Sequence, residues 1–327
     1  MSRMSGGCGM HNFCTLFDSN YLTRALALYR SLEKTGEDFM LYAVCFDELA
    51  HQILLKYNLP KLVLIRLDEF ESPELRAVKS QRTAGEYCWT CTPHVIRYVL
   101  DTFDLSVVTY LDADLCFYAK PSILLQEWEE SGASVLITSH RYTPRYDQSE
   151  ASGVYCVQFM TFKADERGLT VLQWWQERCL EWCYNRVEDG KFGDQKYLDD
   201  WLQRFEGVHV LSHLGGGVAP WNVQQYRLSK RSDHLYVDDS PLVFYHFHGY
   251  KHYADGTHEL GNYQLSPDVV ALLYRPYVQA LAAQQLEVEK LLPGFDRGRA
   301  VRVRSWKTPL RNVRRRLKKE FNEYRCL

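Results

Sequence analysis

The feature that most constrains this chain is an alternation of short apolar runs with amphipathic segments through its first third. Residues 13–17 form an apolar run. Directly after it Leu22, Ala25, Leu26, Tyr29 and Leu32 recur as the stripe of an amphipathic helix, with Asp18, Ser19 and Asn20 ahead of it as capping residues. Runs at 39–46 and 62–67 read as the next two strands, separated by a helical stretch at 50–56. Pro93 opens a further helix to about residue 103, and 107–111 is a fourth strand apolar enough to be buried on both faces. Repeated strand-helix units of this kind predict an α/β fold with a mostly parallel, twisted sheet covered by helices on both sides. Strand-like runs at 133–138, 154–162, 208–211 and 242–247, with helical segments at 165–184, 194–205 and 267–292, continue the pattern without a repeat or a low-complexity linker. One continuous core is expected over residues 1–295, with about 11–125 and about 126–265 as its two halves and about 266–295 as a packing helix.

Composition narrows the class. With 46% hydrophobic and 24% charged residues among 327, collagen-like, disordered and coiled-coil chains are excluded. Residues 1–10 hold one Arg and no apolar run, and nothing later approaches the ~18 uninterrupted apolar residues of a membrane span, so a cytoplasmic chain is expected. Cys14, Cys45, Cys116 and Cys156 fall inside apolar runs, where a reduced thiol packs as a small hydrophobe. Cys88 with Cys91 and Cys179 with Cys183 offer a four-thiolate zinc alternative, although the second pair lacks knuckle spacing and lies in a helical segment.

Charge is distributed unevenly. Residues 296–327 carry twelve Lys and Arg against three acids, a net of +9, while the rest of the chain, 27 basic against 38 acidic residues, carries −11. Trp306, Leu310, Val313, Leu317 and Phe321 are interleaved at helical spacing. A basic amphipathic tail on an acidic body predicts an anionic membrane surface as its partner, with a helix docked on the body and nucleic acid, an unlikely partner, as the alternatives.

In an open parallel sheet, ligands bind beyond the carboxyl ends of the strands. The dinucleotide fingerprint is absent there, since Gly6, Gly7 and Gly9 precede the first strand, and no Walker A motif occurs. Instead Asp112-Ala113-Asp114 leaves the fourth strand, two hard-oxygen ligands for a divalent cation or an Asx-type turn. Late in the chain comes Phe244-Tyr245-His246-Phe247-His248-Gly249-Tyr250-Lys251. Here an imidazole can complete a coordination sphere, a glycine lets backbone approach a phosphate and a lysine supplies positive charge, unless these are ordinary surface histidines. Gly193-Asp194-Gln195 sets a carboxylate and an amide at a helix start, which an N-cap would also explain. Trp89, Tyr142, Trp221, Tyr226 and Tyr250 are candidates for stacking on a ligand, each also readable as core or ordinary surface.

In their order along the chain, Asp18 with Asn20 and Tyr21, Lys79 and Arg82 before a helix, the Asp112-Ala113-Asp114 element, Asp194-Gln195, Trp221-Asn222 and the His246 to Lys251 element resemble the family 8 and related GT-A nucleotide-sugar glycosyltransferases over most of residues 13–253. The resemblance implies a GT-A, Rossmann-like sheet and a Mn²⁺ or Mg²⁺ ion on Asp112, Asp114 and His246. It implies a donor, UDP-linked, held by Asp18, Tyr21, Lys79, Arg82, Asp112, Ala113, Asp114, Gly249 and Lys251. Asp194 and Gln195 fall beside the donor sugar as the catalytic pair, and Trp221 and Asn222 on the acceptor. The Pro-Trp that follows the family's lysine is replaced here by His252-Tyr253. The resemblance also implies transfer with retention to a glycan or glycolipid hydroxyl, and the basic C-terminal helix would hold such an enzyme at the inner face of the cytoplasmic membrane, near a lipid-linked acceptor in cell-surface polysaccharide or lipopolysaccharide synthesis. An inverting enzyme would need a carboxylate base, for which Asp147, Glu150 and Asp194 are available. Two other readings remain: a catalytically inactive carbohydrate-binding protein that keeps the fold, and a sugar-nucleotide nucleotidyltransferase, for which 17–20 offers no phosphate loop.

Overall fold

A computed structural model describes residues 9–302, 308–325 and 327. Its centre is a seven-stranded sheet of β1 (His11–Phe17), β2 (Phe39–Cys45), β3 (Leu62–Arg66), β4 (Val107–Leu111), β6 (Tyr155–Lys163), β5 (Val135–Ser139) and β7 (Val208–Val210), in the spatial order β3-β2-β1-β4-β6-β5-β7. Only β6 runs against the rest, pairing antiparallel with both β4 and β5. The mostly parallel sheet expected from the sequence is therefore present.

Alternation along the strands explains the two layers of core. Phe13, Leu41, Ala43, Leu111 and Phe159 face one side, where helices α1 (Leu22–Lys34) and α2 (Glu48–Tyr57) pack. Cys14, Tyr42, Val44, Tyr110 and Met160 face the other, under the helices Ala84–Thr102 and Glu166–Glu181. Strands buried on both faces have no polar side to show, which is why they read as continuous apolar runs.

Three expectations change. Pro93 does not open its helix: a capping box between Thr83 and Glu86 starts it at Ala84, and Pro93 lies inside. Asp18 is not the cap of α1, whose N-cap residue is Tyr21; its Oδ1 accepts the Asn20 and Tyr21 amides in a turn just ahead of the helix. Asp194-Gln195 precede a 3-10 turn, Lys196–Asp200, and a single α-turn, Trp201–Arg204, where one continuous helix was expected.

The basic C-terminal segment is built into the body. Arg299–Ala300 pairs with the strand Lys251–Tyr253, and Glu323–Tyr324 with His258–Glu259, in one four-stranded sheet. Between them the helix Thr308–Leu317 turns Arg315 inward, where it meets Glu259 at 3.3 Å and Glu323 at 3.7 Å, and leaves Leu310, Val313 and Leu317 exposed. Trp306 lies outside the described residues, as do Gly6 and Gly7. No helix among the described residues is long and apolar enough to cross a membrane.

Candidate metal centre and donor site

The strand order reverses between β1 and β4, whose neighbours in the sheet connect in opposite directions, so the chain leaves a crevice where these two strands end. Asp18 follows β1 and Asp112 follows β4, which brings the first and fourth strand exits together. A two-stranded ladder then delivers the third component. Phe244–His246 runs antiparallel to Leu115–Phe117 with His246 opposite Leu115, and the Phe247 amide donates to the Asp114 carbonyl at 3.1 Å.

Asp112, Asp114 and His246 thereby present one ligand atom each, all within 4.8 Å of one another, and are the grouping of this kind among the described residues. His246 Nε2 is 3.1 Å from Asp114 Oδ1 and 3.7 Å from Asp112 Oδ2. The other ring nitrogen, Nδ1, donates to Gln158 Oε1 at 2.8 Å, which leaves Nε2 facing the two carboxylates. Burial pushes the Asp112 carboxyl up to about 6, against the pull of His246, with Asp114 adding like charge. Burial acts on Asp114 as well, but the His246 imidazole beside it outweighs burial and holds it down to about 2. Two carboxylates and one imidazole suit a hard divalent cation such as Mn²⁺ or Mg²⁺ better than a thiolate-seeking one. The four-cysteine alternative has no such grouping among the described residues; Cys179 is buried next to Cys183 in the core.

The remaining predicted residues divide into those that reach this centre and those held elsewhere. The Asp114 carboxylate is the main influence pushing the Tyr21 phenol up to about 12, so α1 begins over the metal ligands. Asp194 is 4% exposed, and burial, helped by the charge of Asp112, pushes its carboxyl up to about 8. Gln195 is turned to the Ser152 carbonyl at 2.6 Å. Ala113 is buried between the two aspartates, and Gly249 has φ of +74°, a left-handed turn that only glycine makes without strain.

Lys79 is paired with Glu71, and Arg82 donates to the carbonyls of Cys179 and Leu180 at 2.8 and 2.7 Å. Both charges are engaged in holding the fold, and Arg82 caps the end of the helix Glu166–Glu181, where unsatisfied carbonyls attract a cation. Asn222 is fully buried with its amide donating to His140 and Gly217 carbonyls and its oxygen accepting from Ala219, so it braces a loop and faces no acceptor. Trp221 is 4% exposed, wedged edge-on against His246 and His248 at 5.4 and 5.3 Å. Lys251 lines a cavity shared with the C-terminal helix.

Two residues escaped the sequence reading. Gln158 is a lone amide inside the buried strand β6, and that isolation is the signal that would have found it. Arg24, 7% exposed, is a lone cation on the apolar face of α1; it donates to the Asn20 and Tyr250 carbonyls and lies over the Tyr21 ring at 4.5 Å, close enough to lower Asp114 further.

No protein-family model matches the chain. Over 248 residues, 73% of this chain and 81% of the relative, it is 36% identical to the uncharacterized protein YfnF of Bacillus subtilis (strain 168). Over 293 residues, 88% of this chain and 94% of the relative, it is 29% identical to YfnD of the same organism. Among solved structures it is similar to the galactosyltransferase LgtC in complex with donor and acceptor sugar analogs, with a TM-score of 0.54 and 13% identity over 83% of this chain and 95% of that one. An active-site mutant of LgtC superposes with a TM-score of 0.52 and 12% identity over the same shares. The sheet order and its helical layers are those of the GT-A fold.

Proposed function

We propose that the chain, which belongs to the family of Bacillus subtilis YfnF, is a metal-dependent glycosyltransferase. It transfers a sugar, with retention, from a nucleotide-sugar donor, UDP-linked, to a hydroxyl of a glycan or lipid-linked acceptor. The observation that carries this reading is the grouping of Asp112, Asp114 and His246 at the crevice between β1 and β4 in a GT-A fold.

A divalent ion held by these three residues would supply the positive charge that stabilises a diphosphate leaving group. The rest of the chemistry belongs to the chain. Gln158 fixes the His246 tautomer, and Arg24 adds a permanent cation beside Asp114. Asp18 and Tyr21 border the nucleotide. Asp194, pushed up to about 8, holds its proton at neutral pH and so can donate a hydrogen bond to a sugar hydroxyl. Asp147 and Glu150, the other carboxylates considered as an opposite-face base, lie on an exposed segment. That supports attack on the same face as the departing diphosphate, whose oxygen takes the acceptor proton. Tyr142, stacked on His140 at 4.5 Å, offers a ring wall for the acceptor sugar. The basic C-terminal segment supports a place at the inner face of the cytoplasmic membrane, in cell-surface polysaccharide or lipopolysaccharide synthesis.

The test is a thermal-shift screen of UDP, GDP, CMP and their sugar conjugates with and without Mn²⁺. The expected outcome is Mn²⁺-dependent stabilisation by a uridine diphosphate ligand, absent in Asp114→Ala, because a ligand that binds only the native state raises its apparent stability. A shift with none of them sinks the reading.

A further inference from the structure

The C-terminal helix closes a second cavity of about 370 Å³, lined among others by Lys251, Arg311, Arg314, Lys318 and the buried Arg315. Its carboxylates are already matched. Glu259 meets Arg315, and Glu320 accepts from Arg145 Nη2 at 2.8 Å. Lys251, Arg311, Arg314 and Lys318, in contrast, have no carboxylate partner among the described residues, and each is exposed. Arg311 and Arg314 lie one turn apart on the helix, and Lys318 follows its last residue with its amide donating to the Arg314 carbonyl at 3.0 Å, so three of these cations converge on the cavity. Like charges gathered without partners repel one another and are relieved by an anion that several can contact together.

We propose that this cavity binds a phosphate or diphosphate ester. Taken with the glycosyltransferase reading, on which this step alone rests, the ester is the anionic head of the acceptor. The cavity is walled by the strand Lys251–Tyr253, which follows His246 by only five residues, so a molecule anchored there by its phosphate lies within reach of the donor site. The exposed Leu310, Val313 and Leu317 run along the adjoining face of the same helix, an apolar ridge that a lipid-borne ester would meet and a soluble one would not.

Calorimetric titration of the full chain with inorganic pyrophosphate, in EDTA to keep the probe off Asp112 and Asp114, tests the cavity. One site is expected. Replacing Arg311, Arg314 and Lys318 together by Gln weakens it about a hundredfold, and Arg314→Gln alone about tenfold, since charge-assisted contacts to phosphate are lost. Arg316→Gln with Lys319→Gln, which removes basic charge from the same segment outside the cavity, leaves the affinity unchanged. No binding by the wild-type chain, or equal weakening by the control pair, overturns the proposal; the single variant decides the matter if the triple one does not fold. Sedimentation with phosphatidic acid vesicles then separates the sources: binding that pyrophosphate displaces marks a lipid-borne ester, and pyrophosphate binding without vesicle binding marks a soluble one. Mn²⁺ binding, measured on the same proteins, reports separately on the glycosyltransferase reading, which can fail while the cavity still binds pyrophosphate.

Discussion

His246 is oriented by Gln158: the imidazole Nδ1 donates to the glutamine Oε1 at 2.8 Å, and Nε2 is thereby turned to Asp114 at 3.1 Å. The orienting group sits on β6, the one strand that runs against its neighbours, so its side chain enters the crevice from the sheet itself. Gln158→Leu keeps the volume and deletes the acceptor. Mn²⁺ affinity is expected to fall about tenfold to a hundredfold while the fold persists, as for other residues that orient a metal-binding histidine. Unchanged affinity by calorimetry would remove Gln158 from the site.

Asp194 gives the protein a pH signature. Its carboxyl, ordinarily ionising at 3.8, is pushed up to about 8 by burial first and by the Asp112 charge second. The native chain therefore keeps a proton that the unfolded chain has lost, and stability present below the unfolded value drains away as pH rises through about 8. Asp194→Asn abolishes that slope and leaves the protein more stable at pH 8. Thermal melts of both proteins across pH 4 to about 9 check it; parallel curves would refute the buried-proton account.

The strand-helix order through β4 was legible because its residues are buried by periodicity alone. The grouping of Asp112, Asp114 and His246 was legible as three possible ligands at the ends of two strands, and the fold brings their atoms within 4.8 Å of one another. Tertiary contacts were not. Arg82 carries the charge expected of a donor-binding residue, yet its guanidinium caps a helix whose last residues are nearly a hundred positions away. Arg315 sits in a run of three arginines, Arg314 to Arg316, and only the fold shows which of them meets Glu259 and Glu323. Pro93 marked a helix start by rule, but the capping box at Thr83 already supplied one.

Arg315 ties the C-terminal helix to the body. Its side chain is 9% exposed, its partners Glu259 and Glu323 are 10% and 17% exposed, and it also donates to the Gly261 carbonyl at 3.3 Å. Arg315→Leu leaves Glu259 buried without a counter-charge, while Glu323 keeps Arg302 at 3.1 Å, a loss of about 3 kcal/mol. Limited proteolysis is expected to cut first after residue 300 in the variant, with the sheet around β1 to β4 still protected; a proteolytic pattern identical to wild type would show that the segment is held by other contacts.

Trp221 separates two accounts of the acceptor side. If its indole stacks directly on an acceptor sugar, removing it raises only the acceptor KM. The structure instead wedges the ring behind His246 and His248, with Nε1 donating to the His140 carbonyl at 2.9 Å and 4% of the residue exposed. Trp221 then acts through the histidines. Trp221→Ala opens a void beside the metal ligand, costing about 3 kcal/mol of stability, and lets the His246 ring tilt. Mn²⁺ affinity measured with no acceptor present is expected to fall about tenfold, and Trp221→Phe, which keeps a ring against both imidazoles, recovers most of it. A wild-type metal affinity in Trp221→Ala, with only the acceptor KM displaced, would return the indole to the acceptor.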